Sequence, residues 1–301
     1  MQRALSLPSW QLACGALLAC TGLLMLGREL GHGVSALPPH ARLALAGGTW
    51  AAGATALGTL PVLLAKSFSP RSHDAALGMS GGVMLAATVF SLVLPAIAAS
   101  KAGGASAASA SLTAGAGIMA GVALIMLLGQ LAQLKQLKRL KAVPEDAAAT
   151  SYRLALARTW LFVAAVTLHN LPEGWAIGVA YAGVDQLKAH ALAGGIALQD
   201  VPEGLVVALA LRAAGYGRVQ SSLYGAISGL IEPAGALAGA LLIDASASLL
   251  PWGLASAAGA MLYVTCHELI PEAHRRGHCR TVSCSFTAGF IVMMMLDTAF
   301  S

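Results

Sequence analysis

The sequence predicts an all-α fold, a polytopic membrane helix bundle, and three observations lead there. Charged residues make up 10% of the 301 positions and apolar ones 57%, against about 25% charged in a soluble domain. Apolar stretches near or above the ~20 residues that span a bilayer as helix recur along the whole length. Strand-type alternation is absent, which excludes a barrel.

The stretches fall at about 10–27, 42–65, 76–99, 109–131, 155–181, 190–212, 219–243, 248–271 and 283–300. Nine helices with short connections leave no room for a soluble domain. With the N-terminus in the cytoplasm, only Arg28, Arg42, Lys101 and Lys188 fall outside, and the other fourteen Lys and Arg fall inside. That bias is the positive-inside pattern. It predicts a multi-pass protein of the plasma (inner) membrane, with the C-terminus outside.

Arg3 followed by an apolar run and small residues fits an uncleaved anchor or a signal peptide. No small-x-small cleavage site follows the run, so residues 1–30 are expected to form an extra N-terminal transmembrane helix ahead of an eight-helix core over 40–301. The net charge of +5 comes from basic residues spread over several inside loops, so it is no nucleic-acid footprint. The longest such loop, 132–153, is expected to lie against anionic lipid. Cys14, Cys20, Cys266, Cys279 and Cys284 make no CxxC pair and are expected to be packing residues. No GxxxxGK[ST] loop is present, so ATP does not drive this protein directly.

Two copies of one motif interrupt neighbouring apolar runs: Leu168-His169-Asn170-Leu171-Pro172-Glu173-Gly174 and Leu198-Gln199-Asp200-Val201-Pro202-Glu203-Gly204. A third run adds Glu232-Pro233. A carboxylate at the centre of a membrane helix costs roughly 2.5–3.5 kcal/mol on insertion scales, and no Lys or Arg lies at this depth to pair with these four. Residues three and four apart share a helix face, so His169, Asn170 and Glu173 point one way, and Gln199, Asp200 and Glu203 repeat the arrangement. Pro172 and Pro202 deprive the carbonyls of Leu168 and Leu198 of their helical partners. Such kinked helices with freed oxygens at mid-depth build ion sites in transporters.

Imidazole, carboxylates and amide oxygens together suit Zn²⁺, Fe²⁺, Mn²⁺ and Cd²⁺. One dication would leave the four acids net negative. Two neighbouring dications, or one together with protons, balance the charge. Cys266, His267, Glu268, Glu272, His274 and His278 form a second polar group at the inside end of the eighth span, where a cation would leave. Ser91 and Asp297 are candidates for lining polar paths, whereas His32, His40, His73 and His190 are expected at the surface.

HNLPEG followed by a second acid-Val-Pro-Glu-Gly helix resembles the ZIP (Zrt/Irt-like protein) family of divalent metal transporters, and most closely its bacterial prototype. The resemblance runs from the second span to the C-terminus. It implies uptake of zinc, and also cadmium, iron or manganese, into the cytoplasm by alternating access through a binuclear centre at the midplane. One ion would be held by His169, Glu173, Gln199 and Glu203 with Met84. The other would be held by Asn170, Asp200, Glu203 and Glu232, with Glu173 or Glu203 bridging. The resemblance further implies a transport unit (about 42–65 and 155–243) moving against a scaffold (about 76–131 and 248–300), and a homodimer in the lipid bilayer. The small-residue faces Ala46-Gly47-Gly48 and Gly53-Ala54 suit sliding contacts between the two. Gln199 departs from the family's pattern, which often has His there, and the 132–153 loop lacks the family's frequent histidines.

Two other functional classes have footholds. A proton-coupled transporter of another solute would need a roomier, more aromatic cavity than the motif helices offer, with Trp175 as their one large aromatic. An intramembrane protease would need catalytic groups. His267-Glu268-Leu269-Ile270-Pro271 has proline where HExxH requires its second histidine. Gly78-Met79-Ser80-Gly81 matches the GxSG of rhomboid-like serine proteases but leaves the buried acids without a role. The expectation is therefore that the chain is not an enzyme.

Overall fold

The structure, a computed structural model, describes residues 33–64, 69–140 and 147–299. The proposed N-terminal helix, with Cys14 and Cys20, lies outside the described residues, as do the side chains of the 132–153 loop. The described residues form eight long helices joined by short turns, with no strand among them. They are α1 (Pro39–Leu64), α2 (Pro70–Ala102), α3 (Ala107–Leu140), α4 (Ala147–Gly183), α5 (Gln186–Ala213), α6 (Arg218–Ala245), α7 (Ala247–His274) and α8 (Cys279–Ala299). Six of them, α2, α3, α5, α6, α7 and α8, are long and apolar enough to cross a membrane. Each helix coincides with one of the eight apolar runs expected after the first. Most extend beyond the run into polar flanks, as α2 does by starting at Pro70.

Prolines account for most irregularities. The helical ladder widens to π-type turns over Ala87–Val93 and Thr265–Leu269, shortly before Pro95 and Pro271. Each proline withholds the N–H that the carbonyl four residues back would accept. In α6 the break is complete: one half ends at Ser228, the next begins at Ile231, and Glu232 sits in its first turn. A carboxylate there faces the positive end of a half-helix dipole, and Pro233 in that first turn removes no hydrogen bond.

Helix packing depends on glycine, because apolar side chains gain little by leaving lipid for one another. A Cβ on Gly58 would lie 2.0 Å from the Val201 carbonyl oxygen, and one on Gly204 would lie 2.0 Å from that of Thr55, so α1 and α5 cross backbone to backbone. Gly174 and Gly178 do the same for α4 on α6, at 2.2 and 2.0 Å from the carbonyl oxygens of Glu232 and Ala236. Gly82 and Gly289 join α2 to α8, while Gly121 and Gly259 join α3 to α7. Between the set α1, α4, α5, α6 and the set α2, α3, α7, α8, the glycine contacts are with side chains: Gly183 on Leu250, Gly195 on Met293 and Gly253 on Val179. Of the α1 glycines named for sliding contacts, two turn toward α4 and α6 and the third does not. Gly47 packs on Ile177 and Tyr181, Gly48 on Pro233 and Ala236, and Gly53 faces open space.

Helix α5 lies at the centre, with 67% of its most apolar window buried, against 22% for α3 and 17% for α8. Trp160, Tyr216 and Tyr224 stack edge to face where α4, α5 and α6 come together at one end. Trp160 Nε1 donates to the Tyr216 hydroxyl at 2.8 Å. Amphipathic rings beside Arg212 and Arg218 fit the level of a bilayer interface. Cys266, Cys279 and Cys284 are exposed on the bundle, contrary to the packing role expected of them.

Candidate metal centre

Both motifs face inward at the level of Pro172 and Pro202, which α4 and α5 carry within unbroken α-helix rather than at the breaks expected there. His169, Asn170, Glu173, Gln199, Asp200, Glu203 and Glu232 are all buried, none more than 4% exposed. The glycine after each motif glutamate makes this possible: Gly174 brings α4 onto Glu232 of α6, and Gly204 brings α5 onto Thr55 of α1. Four helices thus meet around a small polar space.

Their ligand atoms form two groups. One atom each from His169, Glu173 and Glu203 lie within 4.8 Å of one another, and so do atoms from Glu173, Asp200 and Glu232. Glu173 belongs to both. His169 Nε2 is 4.0 Å from Glu173 Oε1 and 4.0 Å from Glu203 Oε1, too far for hydrogen bonds. A cation at about 2.0–2.2 Å from each ligand would fit between them.

Neighbouring polar groups hold these side chains in place. Ser80 of α2 donates to Glu203 Oε1 at 3.1 Å, and Thr55 of α1 donates to Glu232 Oε1 at 3.0 Å. The Gln199 amide donates to Glu173 Oε1. Asn170 Nδ2 donates at 3.2 Å to the carbonyl of Ser228, which the break in α6 makes available. What remains is a set of eight buried atoms with no hydrogen-bond partner among the described residues: His169 Nε2, Asn170 Oδ1, Glu173 Oε2, Gln199 Oε1, both Asp200 oxygens, Glu203 Oε2 and Glu232 Oε2. A buried polar group left unsatisfied costs about 1–3 kcal/mol, more when charged. Seven oxygens and one imidazole nitrogen gathered in this way are the donor set of a borderline or hard dication.

Two cavities with lining residues in common form a candidate passage beside His169. A cavity of about 40 Å³ is lined by His169, Glu203, Glu268, Phe162, Val206 and Glu272, among others. It shares Phe162, Val206 and Glu272 with a cavity of about 400 Å³ that reaches His73, Arg275 and Arg276. The larger space lies between α4 and α5 on one side and α2 and α7 on the other.

The remaining expected ligands sit in different surroundings. Glu268 is at the passage, with Oε2 3.8 Å from His169 Nδ1. His267 is on the exposed face of α7, stacked on Tyr263 at 4.9 Å. Met84 is fully buried, and its sulfur accepts from the Thr265 hydroxyl at 3.8 Å. Ser91 donates to Asp297 at 2.6 Å. Sequence reasoning missed Thr55 and the Ser228 carbonyl, and considered Ser80 only in the protease setting. A lone hydroxyl in a membrane helix carries no signal until its tertiary partner is known. His73 was expected at the surface but is buried and paired with Asp74.

Residues 132–297 match the family described as ZIP Zinc transporter. The chain is 40% identical over 244 residues to the zinc transporter GufA of Myxococcus xanthus, an alignment covering 81% of this chain and 93% of that protein. It is 44% identical over 264 residues to the zinc transporter ZIPB of Bordetella bronchiseptica, covering 86% and 82%. The zinc transporter ZIP11 of Homo sapiens is 36% identical over 146 residues, 46% of this chain. The matched family region contains both motif helices and the broken helix, so the buried acids belong to the part of the chain that its relatives share. With that coverage and identity, the chain is a member of the ZIP transporter family.

Proposed function

We propose that this chain carries zinc, and also cadmium, iron or manganese, across the membrane into the cytoplasm through a two-ion centre at mid-depth. The single observation that carries this reading is the cluster of eight orphaned ligand atoms, within which two ligand triplets share Glu173. His169, Glu173, Gln199 and Glu203 hold one ion. Asn170, Glu173, Asp200 and Glu232 hold the other. Glu268 receives the ion as it leaves along the passage. The relatives named as zinc transporters support the choice of cargo. Ser80, the nucleophile of the protease alternative, donates to Glu203 and so serves the metal centre.

The passage opens at the end carrying Arg212, Arg275 and Arg276, and the positive-inside rule makes that end cytoplasmic. Alternating access then means that α1, α4, α5 and α6 move together against α2, α3, α7 and α8. Within each set glycines lock backbone to backbone, and across the divide they meet only side chains that can repack. The protein works as a homodimer in this reading, which cross-linking in native membranes checks. Purified protein in liposomes should take up Zn²⁺ and Cd²⁺ without ATP. Vesicles as tight to every metal as empty ones, with or without a pH gradient, would overturn the proposal.

Two further outcomes follow from the ligand set. Imidazole and carboxylates must be deprotonated to bind, so each ion bound releases protons and each added proton competes. Metal affinity should therefore fall steadily from pH 7 to pH 5, and a titration flat across that range would remove His169 from the centre. Gln199 offers a single neutral oxygen, which has no hydrogen-bond partner among the described residues. Gln199→His replaces it with a nitrogen that zinc favours over manganese. Competition binding should show Zn²⁺ and Cd²⁺ tightened more than Mn²⁺. Equal gains, or none, would place residue 199 out of reach of the metal.

A further inference from the structure

Beside Pro172 lies a cavity of about 220 Å³, walled by α4 and α6 on one side and by α3 and α7 on the other. Pro172, Ala257 and Ala260 are buried in its floor, while Leu124 and Ala238 are exposed at its rim. It therefore opens sideways, on the outer face of the bundle. Pro172 directly precedes Glu173, which sets the cavity at the depth of the metal centre.

The walls offer nothing to a polar guest. Only Ser256 and Trp175 bring polar side-chain groups to the lining, and each already donates within the protein. The Ser256 hydroxyl donates to the Gly253 carbonyl at 3.0 Å, and Trp175 Nε1 donates to the same oxygen at 3.2 Å. Every other lining side chain is Ala, Leu, Ile or Pro. An apolar cavity of about 150 Å³ stays dry and binds benzene, and this one is larger. Left empty, its walls would forfeit the dispersion contacts that packed atoms supply. At this depth the mobile material beside the opening is hydrocarbon.

We propose that this cavity is a binding site for one lipid acyl chain, which enters from the bilayer between Leu124 and Ala238 and packs on Trp175 and Pro172. Hydrocarbon gains little by leaving lipid for protein as such, so occupancy is driven by filling space that the helices leave unfilled. Trp175 belongs to α4 and Gly253 to α7, so the indole hydrogen bond spans the same divide as the cavity. One consequence rests on the movement of α4 and α6 against α3 and α7 proposed above. The chain is then removable packing, which fills the joint in this state and returns to the bilayer when the walls shift. Binding itself needs neither metal nor that movement.

The test uses the full chain with Trp10→Phe, Trp50→Phe, Trp160→Phe and Trp252→Phe, which leaves Trp175 as the reporter. It is placed in metal-free vesicles of phosphatidylcholine whose acyl chains carry bromine at mid-length, a quencher that acts on an indole by contact. A single chain in the cavity is either brominated or not, so the fluorescence should fall in a straight line as the brominated fraction rises. Several chains exchanging over an open face would instead give a curve, steepest at the start. Ala238→Leu, at the exposed rim, fills the opening and should remove most of the quenching. If the sole-tryptophan chain does not elute as a folded species, the difference between the native chain and Trp175→Phe supplies the same signal. Because no metal is present, failure here would leave the metal centre untouched. Absent quenching, a curved dependence, or quenching unaltered by Ala238→Leu would overturn the proposal.

Discussion

Glu173→Ala is expected to abolish metal uptake while leaving a folded protein. Its carboxylate is the one group common to both triplets, so the substitution removes a ligand from each of the two proposed ion sites at once. Loss of a residue that merely orients a ligand costs about 10–100-fold in metal affinity, so loss of a shared direct ligand should exceed about 100-fold. The fold should survive, because removing a buried acid relieves the repulsion it shares with Glu203, Asp200 and Glu232. Glu203→Ala, which removes a ligand from the His169 triplet only, should retain one bound ion per chain while transport fails. Stoichiometry by dialysis separates the two variants, and a Glu173→Ala protein that still binds two ions would dismiss the shared-ligand arrangement.

Gly204→Val is expected to have a large effect on folding. Even a single Cβ at 204 would lie 2.0 Å from the Thr55 carbonyl oxygen and 2.9 Å from its carbon. Backbone cannot step aside as a side chain does, so α5 would have to leave α1. Ordinary overpacking costs about 1–3 kcal/mol, and a clash with the Thr55 main chain should exceed the upper end of that range. Metal binding would fall with it, since Thr55 supports Glu232. Gly53→Val faces open space and serves as the matched control. A thermal unfolding midpoint for Gly204→Val within a degree or two of the Gly53→Val midpoint would show that the α1–α5 crossing does not carry the fold.

The spans and the mid-depth acids were legible because both are anomalies of composition. Twenty apolar residues in a row can do little else, and Glu173, Asp200, Glu203 and Glu232 stand out against such runs. Which glutamate is shared was not legible, since it depends on how deeply α4, α5 and α6 interlock. The neighbours His267 and Glu268 show a second limit. An ordinary helical turn does not reveal which of them faces the passage, and the widened turn before Pro271 sends Glu268 inward and His267 outward. His73 and Asp74 sit among polar residues at a helix start, where solvation is the ordinary expectation. Arg276 and His278, 202 and 204 positions further along the chain, return to pair with Asp74 there. Glycine abundance was visible too, but the sequence cannot say which glycines meet main chain and which meet a movable Met293 or Leu250.

The glycine-locked pairs also set a timetable for synthesis. Helix α2 meets α8, and Arg71 bonds a residue 210 positions further on, Thr281. At about 5–20 residues per second, α2 waits roughly 10–40 seconds in the bilayer before its partner has been made. During that interval the α2 surface at Gly78 and Gly82 lacks the α8 backbone that covers it in the folded protein, and α3 waits in the same way for α7. A chain halted before residue 279 would keep every mid-depth ligand yet leave α2 without its mate. Ribosome-stalled chains of that length should be rapidly degraded, and release of the final 23 residues should rescue them.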